Sequence, residues 1–214
     1  MNAAMPTNSP PTPEAGVLIT HTPEDLAQIH RPDCSLVLWQ RPRPDRWLLA
    51  PASEGRPWLK AELSLDDLPG MLESRLGTSE GMRWLARDIL VLSRHFSQIS
   101  GHERIDISLG PVSRQECPYY HVDNVNLRLL CTYLGAGTEY LDETQVDRDW
   151  LGQGQNEKVC RGLEPRQAPT MAVLLMKGAA YPGQPGKGQV HRSPAHTPER
   201  SARLRLCIDG AHAH

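Results

Sequence analysis

The residues in this sequence best suited to chemistry are two histidines and an aspartate that together could bind a metal. His121 and Asp123 are separated by one residue in the segment YYHVDN, residues 119–124. On an extended chain, side chains two residues apart face the same side, so this imidazole and carboxylate can reach one point. A second histidine from a distant strand would complete a two-histidine, one-carboxylate ligand set, which leaves metal positions open. His191, at the end of a Gly- and Pro-rich loop (178–194), is the candidate.

The metal hypothesis depends on the surrounding sequence, because an HxD tripeptide is short enough to occur by chance. Taken alone, His121 would more readily be interpreted as a histidine with an ordinary hydrogen-bond partner. Here HxD is followed by a hydrophobic run that ends in Tyr-Leu-Gly at 133–135. A second apolar run at 171–176, a loop, His191 and an arginine on the last predicted strand follow in that order. It is this order that favours a metal site.

The ordered motifs resemble two protein families. The segments PYYHVDNVNLRLLCTYLGAGTEYL and VHRSPAHTPERSARLRLCIDG resemble the DUF1826 proteins, over about residues 20 to 210, and that family carries no established activity. Over about residues 115 to 208 the chain is more remotely similar to the Fe(II)/2-oxoglutarate dioxygenases of the prolyl-hydroxylase-like type. Their pattern is HxD, a strand ending near Tyr-Leu-Asn, a distal His with a Pro three residues on, and then an Arg. Pro194 and Arg203 match the distal part, whereas Gly135 stands where the dioxygenases usually have Asn.

The dioxygenase resemblance implies a non-haem oxygenase in which His121, Asp123 and His191 hold Fe(II), with 2-oxoglutarate as cosubstrate and an unknown substrate. Three nitrogen and oxygen ligands also suit zinc, so two alternatives stay open. One is a non-catalytic zinc- or iron-binding protein involved in metal handling, and the other is a zinc-dependent hydrolase. A fourth protein ligand closing the site would favour structural or storage zinc, whereas an apolar wall and an inward arginine would favour the oxygenase.

The same resemblance implies an arginine on the last strand that pairs with the far carboxylate of the cosubstrate, because a guanidinium matches a carboxylate through two hydrogen bonds. Arg203 and Arg205 alternate with leucines and should share one face, and Arg203 is favoured by its interval from the distal histidine. Tyr133 is a further candidate for the cosubstrate pocket, although it could also simply pack in the core. Arg128 would face away from the HxD side chains on an unbroken strand and is interpreted as structural. Cys117 is interpreted as a buried thiol.

The elements that must position these residues change character along the chain. Helical spacing predicts a short helix ending near residue 30 and longer helices at 66–76 and 78–99. A strand is predicted at 35–40 and, after residue 101, short apolar runs predict further strands at 104–112, 127–134, 138–141, 170–177 and 203–208. Helices followed by strands indicate an α+β fold. With the resemblance, we expect a double-stranded β-helix, a jelly-roll-like barrel of at least six antiparallel strands from residue 104, with N-terminal helices packed outside.

Composition sets the remaining expectations. The formal net charge is −2 and no long Lys/Arg run is present, so neither nucleic acid nor a membrane surface is expected as a partner. The five cysteines form no CxxC pair, and no secretory or membrane-spanning segment is found, so the protein is expected to be cytoplasmic. We expect a disordered leader (1–16) and a short tail (211–214). Between them we expect a single domain (17–210), mainly helical over 17–100 and a β-barrel over 101–210.

Overall fold

The computed structural model describes residues 12–45, 58–112, 115–195 and 203–211, and its largest element is a seven-stranded sheet. The strand order is β1-β2-β8-β5-β10-β4-β3, and β7-β6-β9 form a second sheet. All paired strands are antiparallel except β1 and β2. The strands are β1 (Val17–Thr20), β2 (Leu36–Trp39), β3 (Leu59–Ser64), β4 (Arg104–Val112), β5 (Leu127–Leu134), β6 (Glu139–Tyr140), β7 (Arg166–Gln167), β8 (Val173–Lys177), β9 (His191–Arg192) and β10 (Arg203–Gly210).

Among the described residues, five helical segments accompany the two sheets: a 3-10 helix at Pro23–His30, α1 (Leu68–Arg75), α2 (Glu80–Ser100), a 3-10 turn at Arg148–Trp150 and α3 (Asn156–Val159). The long helix α2 begins where the Ser79 hydroxyl accepts a hydrogen bond from the Met82 backbone N–H. It ends at Gly101, whose φ of 73° is the left-handed conformation that terminates many helices. None of the helices in the described ranges is long and apolar enough to span a membrane.

The two faces of the large sheet have different surroundings. Leu204, Leu206 and Ile208 on β10 belong to the main core together with the buried stripe of α2, so α2 packs against this face. Alternation along the strand places Arg205 and the other intervening residues on the opposite face. That second face lines a polar cavity. One side of the sheet therefore packs against α2, whereas the other side combines a smaller apolar cluster, which includes Leu130, Leu174 and Met176, with the polar groups of the cavity.

The architecture confirms an α+β fold with helices preceding most strands. Within the described residues, seven strands follow residue 104, and the long helix lies outside the sheet, as predicted. The segment expected to be mainly helical also contributes β1, β2 and β3 to the large sheet, of which only β2 was predicted. Most of the predicted leader and tail, at 1–11 and 212–214, lies outside the described residues.

Candidate metal centre

Backbone pairing brings His121 and His191 together from segments far apart in the sequence. Each donates its backbone N–H to the carbonyl oxygen of the other at 3.1 Å, which forms an isolated antiparallel bridge. Directly opposed residues of an antiparallel pair carry their side chains on the same face. The two imidazole ring centroids are accordingly 4.6 Å apart. The pairing, which continues into β9, thus sets the position of both rings.

Asp123 completes the cluster from two residues beyond His121. One nitrogen of each imidazole and one carboxylate oxygen all lie within 4.8 Å of one another. His121 Nε2 is 3.5 Å from Asp123 Oδ1, and His191 Nε2 is 3.2 Å from Asp123 Oδ2. The structure therefore brings together the three side chains that the sequence singled out.

Hydrogen bonds at the other nitrogen of each ring determine what the Nε2 atoms present to the carboxylate. His121 Nδ1 is 3.0 Å from the carbonyl oxygen of Tyr119, and His191 Nδ1 is 3.1 Å from that of Gln189. Because a carbonyl oxygen only accepts, each Nδ1 carries the proton in these contacts. In a neutral ring Nε2 is then an acceptor with a free lone pair, which is the state that binds a metal.

The two oxygens of Asp123 have different surroundings. Oδ1 forms an ion pair with Arg128 Nη1 at 2.6 Å. Oδ2 is buried and has no hydrogen-bond partner among the described residues. A buried carboxylate oxygen without a partner is unfavourable. His121 Nε2 lies 3.5 Å from Oδ1 and His191 Nε2 lies 3.2 Å from Oδ2, so a cation bound among these atoms, either a proton or a metal ion, would be stabilised.

The separations suit a divalent metal. For metal bonds of about 2.0–2.2 Å, neighbouring ligand atoms of an octahedral or tetrahedral site lie about 2.8–3.6 Å apart. The 3.5 and 3.2 Å separations between the Nε2 atoms and the carboxylate oxygens fall within that range. Two imidazoles and one carboxylate are typical ligands of non-haem iron and of catalytic zinc. The donor set of His121, Asp123 and His191 therefore fits either metal.

Electrostatics within the cluster favour a charged carboxylate. Burial by itself would raise the pKa of Asp123, but the His121 and His191 imidazoles and the Arg128 guanidinium outweigh it, and the pKa lies far below its ordinary value. The neighbouring Asp123 carboxylate raises the pKa of His121. Asp123 is thus ionised at any physiological pH, whereas His121 keeps its proton to a higher pH than a free imidazole does.

The Gly- and Pro-rich loop after β8 anchors the segment that carries Asp123. The backbone N–H groups of Gly178, Ala179 and Ala180 donate to carbonyl oxygens of the 123–126 segment at 2.8 to 3.2 Å. A Cβ atom at Gly178 would lie 2.0 Å from the Val125 carbonyl oxygen, so only glycine permits this close approach. The loop that leads to His191 therefore also fixes the backbone next to Asp123.

A cavity of about 280 Å³ adjoins the cluster, and most of its lining is polar. Leu130 is the one aliphatic residue among the described lining residues, so the apolar wall that would favour an oxygenase is not found there. Two ion pairs border the cavity: Arg205 with Glu116 at 2.9 Å, and Arg192 with Glu139 at 2.6 Å. Cys117 also lines the cavity and is exposed, which corrects the expectation of a buried thiol.

Arg203 and Arg205 occupy different environments on the polar side of β10. Arg205 lines the cavity, whereas Arg203 is only 8% exposed. One Arg203 Nη donates to the Thr132 hydroxyl at 3.3 Å, and its buried Nε has no hydrogen-bond partner among the described residues. Burial, followed by the nearby charge of Arg205, lowers the pKa of Arg203 to about 10. The structure thus contains a buried guanidinium with no carboxylate bound to it in the described part of the chain.

Tyr133 does not belong to this site, which corrects its assignment to the cosubstrate pocket. It shares the face of β5 that carries Leu129 and Cys131, and it is buried in the main core. Its hydroxyl donates to Asp88 Oδ2 on α2 at 2.7 Å. Since neighbouring residues on a strand face opposite sides, the adjacent Thr132, which contacts Arg203, is the β5 residue on the polar side.

Arg128 is the residue at the centre that the sequence did not indicate. An unbroken strand from residue 121 would have turned it away from His121 and Asp123. In the structure β5 begins only at Leu127, and the bend at 122–126 resets the alternation. Arg128 consequently lines the same cavity and contacts Asp123. No signal in the sequence locates such a bend.

Comparison with known proteins gives one match by sequence. The family model described as "Protein of unknown function (DUF1826)" matches residues 20–209. No curated protein sequence matches the chain.

Solved structures similar to this chain include a plant dioxygenase and two bacterial proteins. The dioxygenase for auxin oxidation 1 from Arabidopsis thaliana, in its 2-oxoglutarate complex, has a TM-score of 0.43 and 11% identity, with 73% of this chain and 63% of that chain covered. A prolyl-4-hydroxylase from Pseudomonas putida has a TM-score of 0.33 and 12% identity, covering 81% and 97%. HygX from Streptomyces hygroscopicus, with iron bound, has a TM-score of 0.36 and 12% identity, covering 77% and 85%. The chain spans less than two thirds of the Arabidopsis protein. At these TM-scores the likenesses carry no argument about this chain.

Proposed function

The chain belongs to DUF1826, a family of proteins of unknown function, and we propose that it is a non-haem Fe(II)- and 2-oxoglutarate-dependent oxygenase acting on a polar substrate. The observation that carries the proposal is the open three-ligand cluster beside a polar cavity. It is supported by the buried Arg203, which has no anionic partner in the described part of the chain and lies on the strand whose Arg205 lines that cavity. Metal binding alone would not require that arginine.

His121, Asp123 and His191 would hold the iron, and the activation of dioxygen is the chemistry that such a metal supplies. Two imidazoles and one carboxylate would leave metal positions open for a 2-oxo acid and for dioxygen. The Nδ1 contacts to the Tyr119 and Gln189 carbonyls hold both rings in the metal-binding tautomer. The ion pair with Arg128 leaves Asp123 Oδ2 as the free oxygen.

Arg203 and Thr132 would bind the far carboxylate of 2-oxoglutarate. A guanidinium forms two parallel hydrogen bonds with a carboxylate, and the Thr132 hydroxyl beside it supplies a further donor. A buried charge without a partner is unfavourable, so an anion that enters here gains from a group that is already desolvated. Arg203, the favoured of the two arginines, is thus assigned to the cosubstrate, and Arg205 to the neighbouring cavity.

The strand order supports the double-stranded β-helix as the form of this fold. In the large sheet β8, β5, β10 and β4 are neighbours although they are not consecutive in the chain. In the second sheet β7, β6 and β9 continue to the His121–His191 bridge. Two largely antiparallel sheets with such crossover connections are typical of jelly rolls. The metal ligands would then lie where the two sheets meet.

The cavity lining supports a polar substrate. The ion pairs of Arg205 with Glu116 and of Arg192 with Glu139 border the space next to the cluster. An apolar molecule would remove water from these groups without replacing its hydrogen bonds, at a cost of about 1–3 kcal/mol for each group left unpaired. A substrate with hydrogen-bonding groups of its own avoids that cost.

Non-catalytic binding of zinc or iron is a second candidate, and Cys117 is the observation that favours it. This exposed cysteine lines the same cavity as the three ligands. A thiolate in the fourth position would close a tetrahedral zinc site and remove the open position that catalysis needs. A zinc-dependent hydrolase would instead keep that position for water.

The test is anaerobic purification, metal analysis and an ultraviolet–visible titration of the Fe(II)-loaded protein with 2-oxoglutarate. The oxygenase predicts one iron per chain and a charge-transfer band that saturates with 2-oxoglutarate. The variant His191→Ala should lose both metal and band, whereas Cys117→Ser should keep both. An iron-loaded protein that binds no 2-oxoglutarate, or a Cys117→Ser protein that loses its metal, would support the second candidate instead.

A further inference from the structure

Arg128 connects the candidate metal ligand Asp123 to a second carboxylate on the neighbouring strand. Its Nε and Nη2 donate to Asp209 Oδ1 and Oδ2 at 2.8 and 2.6 Å, and its Nη1 forms the ion pair with Asp123 Oδ1 at 2.6 Å. Arg128 on β5 and Asp209 on β10 are directly opposed in the sheet. A guanidinium is planar, so the two bonds to Asp209 fix the direction in which Nη1 points.

We propose that Arg128, held in place by Asp209, is a positioning residue that keeps Asp123 a one-oxygen ligand. This inference rests on the proposed metal site. A carboxylate can bind a metal through one oxygen or through both. Arg128 engages Oδ1, and Oδ2 is left without a partner among the described residues. Arg128 thereby keeps Oδ1 away from the metal, and one more coordination position of the metal stays available to ligands from solution.

The cavity also contains a second arginine–acid pair, whose arginine forms no ion pair with Asp123 within the described residues. Arg205, like Arg128, lines the cavity from a strand of the large sheet and is paired with an acid, Glu116, at 2.9 Å. Within the described residues, Arg205 forms no ion pair with the three candidate ligands. Substitutions of Arg205 and Glu116 therefore reproduce the loss of a cavity charge without releasing Asp123 Oδ1.

The first measurement is the visible spectrum of the Co²⁺-loaded protein, since the bands of Co²⁺ respond to the number of its ligand atoms. Arg128→Met should shift the position and lower the intensity of these bands, because the released Oδ1 becomes an additional ligand. Arg205→Met should leave the wild-type spectrum unchanged. Thermal unfolding of each metal-free variant checks that the fold is retained.

The second measurement is Co²⁺ affinity after substitution of Asp209, which avoids removing the arginine itself. Asp209→Asn leaves the positive charge of the Arg128 guanidinium less neutralised beside Asp123, and this charge disfavours a cation there. Loss of such a supporting partner weakens metal binding about 10- to 100-fold. Glu116→Gln removes the same charge from the same cavity and should change the affinity by less than about twofold.

The outcomes separate this inference from the proposal on which it rests. A wild-type protein that binds no Co²⁺ overturns the metal site itself. If the wild-type protein binds Co²⁺, an unchanged spectrum in a folded Arg128→Met protein overturns the positioning role. An Asp209→Asn protein that binds Co²⁺ as tightly as Glu116→Gln overturns the role of Asp209 in holding Arg128. If Arg128→Met does not fold, the Co²⁺ affinity of Asp209→Asn still tests the proposal.

Discussion

Replacing Arg203 by Met should stabilise the protein while it weakens the binding of 2-oxoglutarate. The guanidinium is 8% exposed, and its Nε has no hydrogen-bond partner in the described part of the chain. Burial and the charge of Arg205 lower its pKa to about 10, well below that of an unperturbed guanidinium. At 1.36 kcal/mol per pKa unit, keeping this charge buried costs at most about 3 kcal/mol. Methionine keeps most of the aliphatic packing and carries no charge.

The free energy of unfolding of the metal-free Arg203→Met protein should therefore rise by about 1–3 kcal/mol in urea titrations. Its affinity for 2-oxoglutarate, measured by calorimetry with a redox-inert divalent metal bound, should fall about 30-fold or more, because a buried charge pair contributes about 2 kcal/mol or more. Stability and ligand binding would change in opposite directions, as expected of a functional residue.

Arg41 is the matched control, since it is a buried arginine that does have a carboxylate partner. Two hydrogen bonds join it to Asp88, and its side chain is 9% exposed. Arg41→Met should lower the free energy of unfolding by about 3–5 kcal/mol, because Asp88 is left unpaired. Its folded fraction should bind 2-oxoglutarate normally. If Arg203→Met is destabilised as Arg41→Met is, or binds the cosubstrate as the wild type does, the reasoning is refuted.

Three further predictions concern the metal, the core and the loop. Metal affinity should weaken about tenfold per pH unit below the raised pKa of His121, because a proton competes with the metal for Nε2. Competition titrations between pH 6 and 8 measure this affinity, and a constant affinity over that range would exclude His121 as a ligand. Leu206→Ala, on the core face of β10, should lower the free energy of unfolding in urea by about 2–5 kcal/mol, and each folded chain should still bind one metal. Loss of metal without loss of stability would contradict the assignment of the two faces of β10. Gly178→Ala should displace the 123–126 segment and weaken metal binding. The control Gly70→Ala, on α1 with no atom near the added Cβ, should leave metal binding unchanged. Equal metal affinities of the two variants would show that the loop does not position Asp123.

The order of elements and the proximity of His121 and Asp123 could be predicted because both depend on short-range patterns. The spacing of Met82, Leu85, Ile89, Leu92 and Phe96 defines the buried face of α2. The one-residue gap between His121 and Asp123 places two ligand types near one point on an extended chain. The distal His191 needed the ordered context of the motifs, since a single histidine in a loop carries no such signal.

What could not be predicted depends on where regular alternation stops and on pairing between distant segments. The bend before Leu127 brings Arg128 into contact with Asp123, and the residue types at 122–126 do not predict the angle of this bend. The edge strand β3 became evident only through its pairing with β4. Tyr133 is a different case, because its alternation with Thr132 already indicated the core side. Its assignment to the pocket followed from residue type alone.

Anomalous diffraction from crystals of the Fe(II)-loaded protein would show whether His121, Asp123 and His191 form a metal site. We expect one anomalous peak about 2.0–2.2 Å from both Nε2 atoms and from Asp123 Oδ2, with Oδ1 still paired with Arg128. A loaded crystal in which these three side chains bond only to one another, and in which any iron lies elsewhere, would contradict it.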